Sequence, residues 1–272
     1  MSDRHIRIRH EGPVAVLTFD RPEVLNAFNN ETMGQCVEAL QELGQDAEVR
    51  SIVVHGAGRA FSAGFDLKAS ATRDMSTIDK VQAQMERQFD FIMSFWRCPK
   101  PTVAVVHGFC MAGAFEVALA CDLTIAAEGT RFGEPEVRFG TGIVAMLLPW
   151  MVGPKHAKEM LLIGNDKMDA RRAFEIGIVN EVVAPEAALD RGLQLARDIA
   201  ASSVPSVLLT KRAINRTYEV MGLWEALKSS LEIDIILNAS PSEEKAEFGR
   251  LRREEGLKAA LAWRDARYSD NR

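Results

Sequence analysis

The sequence predicts an α/β fold, and three observations carry that prediction. Apolar, often β-branched runs of buried-strand length alternate with amphipathic helical stretches up to about residue 184. From Pro185 onwards no strand-like run recurs and only helical periodicity remains. Turns of similar style return roughly every 50 residues, a spacing weakly compatible with a coiled succession of strand–helix units.

Each element follows from local signals. Ile6 and Ile8, then Val14, Val16 and Leu17, flank Glu11-Gly12-Pro13 and predict strand, turn and strand. A loop punctuated by Pro22 leads to a helix capped by Asn29 or Asn30. That helix carries Met33, Cys36, Val37, Leu40 and Leu43 on one face and stops at Gly44. Residues 51–55 form the next strand, which opens into a loop rich in small residues over 56–68. Residues 70–80 have no clear period. Over 79–96, Val81, Met85, Phe89, Ile92 and Trp96 recur at helical spacing until Cys98-Pro99-Lys100-Pro101 ends the run. The central strand is 102–106, broken at His107-Gly108 and followed by an apolar helix over 114–121.

A short strand over 123–127 comes next, then a helical or tightly turned stretch over 144–152. Helices over 155–163 and 169–176 end at Gly164 and Gly177, and 178–183 returns as a strand. Helices over 187–201, 206–220, 224–237 and 243–268 complete the chain, with Trp224, Leu227, Leu231 and Ile235 in one stripe. The boundary falls at Ser202-Ser203-Val204-Pro205, dividing a site-bearing core over 1–200 from a helical region over 201–272.

Composition narrows the function. With 272 residues the chain buries a substantial core, and 47% hydrophobic and 26% charged residues are globular values. A net charge of −5 offers no footprint for nucleic acid. Cys36, Cys98, Cys110 and Cys121 lack metal-ligand spacing and read as reduced core residues. No apolar run reaches the roughly 20 residues of a membrane span, and the first residues carry no apolar signal region. A soluble, cytoplasmic protein is expected.

Chemistry concentrates where small residues and a carboxylate follow a strand: Ala63-Gly64-Phe65-Asp66, Gly113-Ala114-Phe115-Glu116 and Phe132-Gly133-Glu134-Pro135-Glu136. Glu116 is an acid in the first turn of an otherwise apolar helix, and a buried acid needs a partner or a task. The backbone N–H groups of Phe65 and Gly113 are candidates for an oxyanion hole, suited to a thioester carbonyl becoming an enolate. Glu116 and Glu136 then flank the adjacent carbons as general base and general acid. Asp66 also reads as a helix cap and His107 as a structural histidine.

These residues carry a family resemblance. Arg21-Pro22-Glu23-Val24-Leu25-Asn26-Ala27, Phe61 through Lys68, Gly108 through Glu116 with Cys121-Asp122, and Phe132 through Glu136 together resemble the enoyl-CoA hydratase/isomerase (crotonase) superfamily, over nearly the whole chain. The resemblance implies a spiral core of ββα units and a C-terminal helical region that builds homotrimers, which commonly stack into hexamers. It places Phe65 and Gly113 at the oxyanion-hole positions. Glu116 and Glu136 match the two hydratase glutamates, which hold a water and deliver it across the 2,3 double bond of an enoyl thioester. Leu25, Ala63, Asp66 and Lys68 fall in segments that bind the substrate and its CoA moiety, and Val144 offers an N–H to the water.

Coenzyme A enters as part of the substrate, and no metal or redox cofactor is implied. Keeping both glutamates favours hydration over an isomerase, which tends to keep only the acid at the position of Glu136. An isomerase, a hydratase-lyase and a catalytically idle acyl-CoA- or protein-binding oligomer remain the alternatives. The sequence departs from the hydratase pattern at Gly140-Thr141-Gly142-Ile143-Val144, and at Trp263-Arg264-Asp265, which replaces a more uniformly basic run.

Overall fold

A computed structural model describes residues 4–269. The chain runs through β1 (Ile6–Glu11), β2 (Val14–Phe19), α1 (Asn30–Gln45), β3 (Ser51–Gly56), α2 (Leu67–Ala71), α3 (Ile78–Arg97), β4 (Thr102–Val106), β5 (Phe109–Met111) and α4 (Gly113–Ala120). It continues through β6 (Leu123–Ala127), β7 (Arg131–Gly133), α5 (Leu148–Met151), α6 (Pro154–Ile163), β8 (Met168–Asp169), α7 (Ala170–Glu175) and β9 (Glu181–Val183). Five helices follow: α8 (Ala188–Ala200), α9 (Val204–Val220), α10 (Leu223–Ala239), α11 (Glu243–Glu254) and α12 (Leu257–Ser269).

The main sheet has the order β1-β2-β3-β4-β6-β9, parallel throughout except for the β1–β2 hairpin. Its strands are covered on both faces, so their side chains divide with a period of two between two cores. Ala15, Leu17 and Phe19 of β2, Ile52 and Val54 of β3, and Ala104 and Val106 of β4 point into the larger core. Val14, Val16, Val53, Val103 and Val105 point the other way, onto Ala188, Leu193, Ala196 and Ala200 of α8. The larger core is closed by α1, α3, α4 and α10. Asn29 caps α1 by accepting from the Thr32 amide at 2.8 Å. All five apolar residues that predicted α3 are buried.

A second sheet, β5-β7-β8, escapes the sequence because its strands are two or three residues long. An isolated bridge from Ser62 to Cys110 ties it to the loop after β3. Three expectations are corrected in extent. The stretch 144–152 is helical only over Leu148–Met151, and the strand at 178–183 only over Glu181–Val183. The expected helix over 243–268 is two helices, because Gly256 takes φ +92° and ends the first.

That break sends the chain back on itself. The helices α11 and α12 pack on each other, and α11 lies against α2 and the 3-10 turn Glu136–Phe139. Phe248 meets Phe139 edge-to-face at 4.9 Å, and Arg252 donates to the Leu67 carbonyl and the Ser70 hydroxyl at 3.0 and 3.1 Å. Part of the region 201–272 thus covers the face of its own chain that carries the candidate site. Further back, α9 and α10 leave Leu209, Ile214, Val220, Ile233 and Ile236 exposed.

Candidate active site

Two glycine turns bring Phe65 and Gly113 together. Gly64 has φ +85°, and a Cβ there would sit 2.6 Å from the Met111 carbonyl and 3.3 Å from the Gly113 nitrogen. A Cβ on Gly113 would lie 2.5 Å from Cε2 of Phe65. Only glycine allows the two segments this approach. Ala112, just before the helix, holds φ +56° and ψ −134°, an unusual conformation for a residue with a side chain, and aims the start of α4. Pairing fixes both sides: Phe28 donates to the Gly64 carbonyl at 2.8 Å, and Ala112 to the Gly133 carbonyl at 2.7 Å. Among the described residues no acceptor is bonded to the amide of Phe65 or of Gly113. Two amides on touching segments, both without an internal acceptor and one of them at the N-terminus of α4, are free to donate to an anion.

Three acids converge on one another from separate segments. Glu116, on the first turn of α4, is 1% exposed, and its Oε2 accepts from the Ala145 amide at 2.8 Å. Its Oε1 is buried without a hydrogen-bond partner. Glu136 opens the 3-10 turn after Pro135, also with a buried unpartnered oxygen. One carboxylate oxygen from each of Glu116, Glu134 and Glu136 lies within 4.8 Å of the others, a spacing that would also admit a cation.

Such crowding in a dry place sets the protonation. Burial, then the neighbouring Glu136, raise Glu116 well above the usual carboxylate range, against the opposing pull of the Ala145 and Val144 amides. Burial and the charges of Glu136 and Glu116 raise Glu134 likewise. Burial pushes Glu136 up to about 7, moderated by the adjacent Glu134 carboxyl and by the charge of Arg264. All three acids therefore hold a proton more tightly than ordinary carboxylates, which brings the titration of Glu136 into the range used for general acid–base work.

The remaining candidates take varied places. Leu25 has left-handed φ +54°, and its carbonyl accepts from the Ala63 amide at 2.9 Å. Asp66 spends one oxygen capping α2, through the Lys68 and Ala69 amides at 3.0 Å, and the other on Arg21 at 3.2 Å. Lys68 is exposed at the start of α2 with no ion pair among the described residues. Val144 is buried, next to Ala145, whose amide holds Glu116. Arg264 is held within its own chain, 3.3 Å from Asp166 and stacked 4.8 Å over Phe139.

Sequence reasoning missed two acids. Glu134 stands in the Glu-Pro-Glu motif but was not singled out, and it is as buried as Glu116. Asp234, 2% exposed on α10, accepts from Asn238 at 2.7 Å, and burial pushes it up to about 6. Its signal was present: an acid within Ile233-Asp234-Ile235-Ile236-Leu237, on the face shared by Leu227 and Leu231, is the same anomaly that marked Glu116.

Comparison with known proteins places the chain in a family. The profile of the family described as enoyl-CoA hydratase/isomerase matches residues 9–267. A crystal structure of an enoyl-CoA hydratase/isomerase from Xanthobacter autotrophicus Py2 superposes with a TM-score of 0.95 at 48% identity, covering 97% of this chain and 98% of that one. The short-chain-enoyl-CoA hydratase of Clostridium acetobutylicum is 34% identical over 227 residues, 79% of this chain and 83% of the relative. The crotonyl-CoA hydratase of Syntrophomonas wolfei is 34% identical over 221 residues, with 79% and 83% covered. With the crotonase fold, the glycine-built amide pair and a profile spanning almost every residue in agreement, the chain is an enzyme of the enoyl-CoA hydratase/isomerase family.

Proposed function

We propose that this enzyme adds water to a 2-enoyl-CoA thioester, giving the 3-hydroxyacyl-CoA. The observation that carries the reading is the meeting of Glu116 and Glu136, with Glu116 in the same helical turn as Gly113, whose amide, like that of Phe65, has no internal acceptor. The thioester oxygen accepts from both amides, and its charge grows as the enolate forms. A donor so placed is worth about 3–4 kcal/mol of transition-state stabilisation. Glu116, held by Ala145, takes a proton from water as the oxygen attacks C3. Glu136 gives its proton to C2 on the same face, so that water is added syn. The names of the two hydratase relatives support the same reaction class.

Coenzyme A belongs to the substrate on this reading, and no metal or redox group takes part. Lys68 and the Leu25–Ala63 segment border the CoA moiety. The exposed Leu209, Ile214, Val220, Met221, Ile233 and Ile236 support self-association, which the family resemblance makes a homotrimer or homohexamer. No helix among the described residues is long and apolar enough to cross a membrane, in keeping with a cytoplasmic enzyme.

The test is loss of the conjugated thioester absorbance of crotonyl-CoA in the wild type, Glu116→Gln and Glu136→Gln. Turnover by the wild type and its collapse in both variants support the reading. Undiminished turnover in either variant removes that residue from the mechanism.

A further inference from the structure

Glu134 is the buried acid that the proposed reaction leaves idle. It is 1% exposed and has no cationic partner among the described residues. Its backbone is fixed on both sides: the amide donates to the Asn165 carbonyl at 3.0 Å, and the preceding Gly133 carbonyl accepts from Ala112. Pro135 limits the backbone between the two acids, with φ −82° and ψ 8°. The carboxyl is thereby held inside the turn, where one of its oxygens lies within 4.8 Å of an oxygen of Glu136 and of Glu116.

Two ionised carboxylates are acceptors only and repel each other at this separation in a dry site, so the close pair is stable only when it holds a proton. Each of the two groups also keeps one oxygen buried with no donor. The groups that face the pair from neighbouring elements do not supply that proton's charge. Glu116 on α4 and Asp234 on α10 are acids, and Cys110 on β5 is a buried thiol. Arg264 on α12 faces Glu136 but is engaged by Asp166 and Asp265.

We infer that Glu134 is a positioning residue: it holds one proton in common with Glu136, which keeps that carboxyl oriented and charged with a transferable proton. The inference rests on the proposed role of Glu136 as proton donor to C2. During hydration, water yields a proton to Glu116 while its oxygen bonds to C3, and the shared proton leaves the pair to form the C2–H bond. The pair is reset by one proton from solvent as Glu116 releases one, so the net change is one water. Because the empty pair would carry two adjacent buried charges, its last proton leaves at a higher pH than from either acid alone.

The test is Glu134→Gln, which keeps shape and a hydrogen-bond donor but removes the second acid. With crotonyl-CoA, the basic limb of the kcat profile moves to lower pH by about one unit or more, a tenfold change in proton affinity, while KM stays within about twofold. In the resting proteins at about pH 8, the infrared difference spectrum shows a protonated-carboxyl band that the variant has lost. Superimposable pH limbs, or no lost band, overturn the inference. If Glu134→Gln does not fold, infrared titration of Glu116→Gln decides. A protonated carboxyl surviving to about pH 8 supports sharing, and its disappearance by about pH 6 contradicts it. A wild type without hydratase turnover defeats the proposed reaction alone, since the infrared comparison needs no substrate.

Discussion

The amide of Ala145 donates to Oε2 of Glu116 at 2.8 Å, so the acid is gripped from across the site as well as by its own helix. Gln at this position can still accept that bond and sheds the desolvation cost of an acid. Glu116→Gln is therefore expected to lose about 10²- to 10⁴-fold in kcat with an unchanged or higher melting temperature. Steady-state kinetics and a thermal melt check this; a large drop in melting temperature would make the residue structural.

The approach of Phe65 to Gly113 gives a coupled prediction. Gly113→Ala drives a methyl into the Phe65 ring and moves one amide, and is expected to cost about 10²- to 10³-fold in kcat. Phe65→Ala keeps its amide and stays within a few-fold of wild type. The clash is between two side chains, so the double variant recovers at least about tenfold over Gly113→Ala alone. Independent, additive losses would mean that the ring contact is not what sets the amide geometry.

Asp234 gives a stability prediction with a definite sign. Its pKa in the fold is raised to about 6 from an ordinary value of 3.8, so the folded protein binds the proton more tightly. Its contribution to stability is full below about pH 4 and is lost as pH rises through about 6. Asp234→Asn is expected to stabilise the protein by about 1–3 kcal/mol at pH 8 and to leave it nearly unchanged at pH 4. Denaturant titrations at the two pH values measure this. Equal effects at both would exclude titration of Asp234 as the cause.

The three glutamates are spaced closely enough to take a cation, yet the proposed chemistry runs on protons alone. Exhaustive dialysis against EDTA is expected to leave kcat for crotonyl-CoA within about twofold, as proton transfer needs no Lewis acid. Activity lost to EDTA and restored by magnesium or manganese would put a metal on Glu116, Glu134 and Glu136.

Much of this was legible in the residues. The run Val14–Phe19, buried on both faces, and the helical spacing of Val81, Met85, Phe89, Ile92 and Trp96 encode the layers, because a strand between two cores is apolar throughout and a helix on one face only. Glu116 stood out as an acid in an apolar helix. The second sheet was hidden because strands as short as Met168–Asp169 carry no period. The folding of α12 back onto α11 follows the break at Gly256, and helical periodicity cannot tell a break from a continuation there. Asp66 shows the limit for site residues: cap and ligand roles leave the same letter, and its oxygens serve α2 and Arg21. Glu134 was masked by its neighbour, since Glu-Pro-Glu does not say which acid turns inward.

The central claim is that Glu116 and Glu136 together add water across the double bond. The most direct measurement is product mass after incubating crotonyl-CoA with enzyme in water enriched in heavy oxygen. The account predicts a hydroxyacyl-CoA carrying the heavy oxygen from the wild type, and none from Glu116→Gln or Glu136→Gln on the same timescale. A product of unchanged mass, or equal label incorporation by the variants, would contradict it.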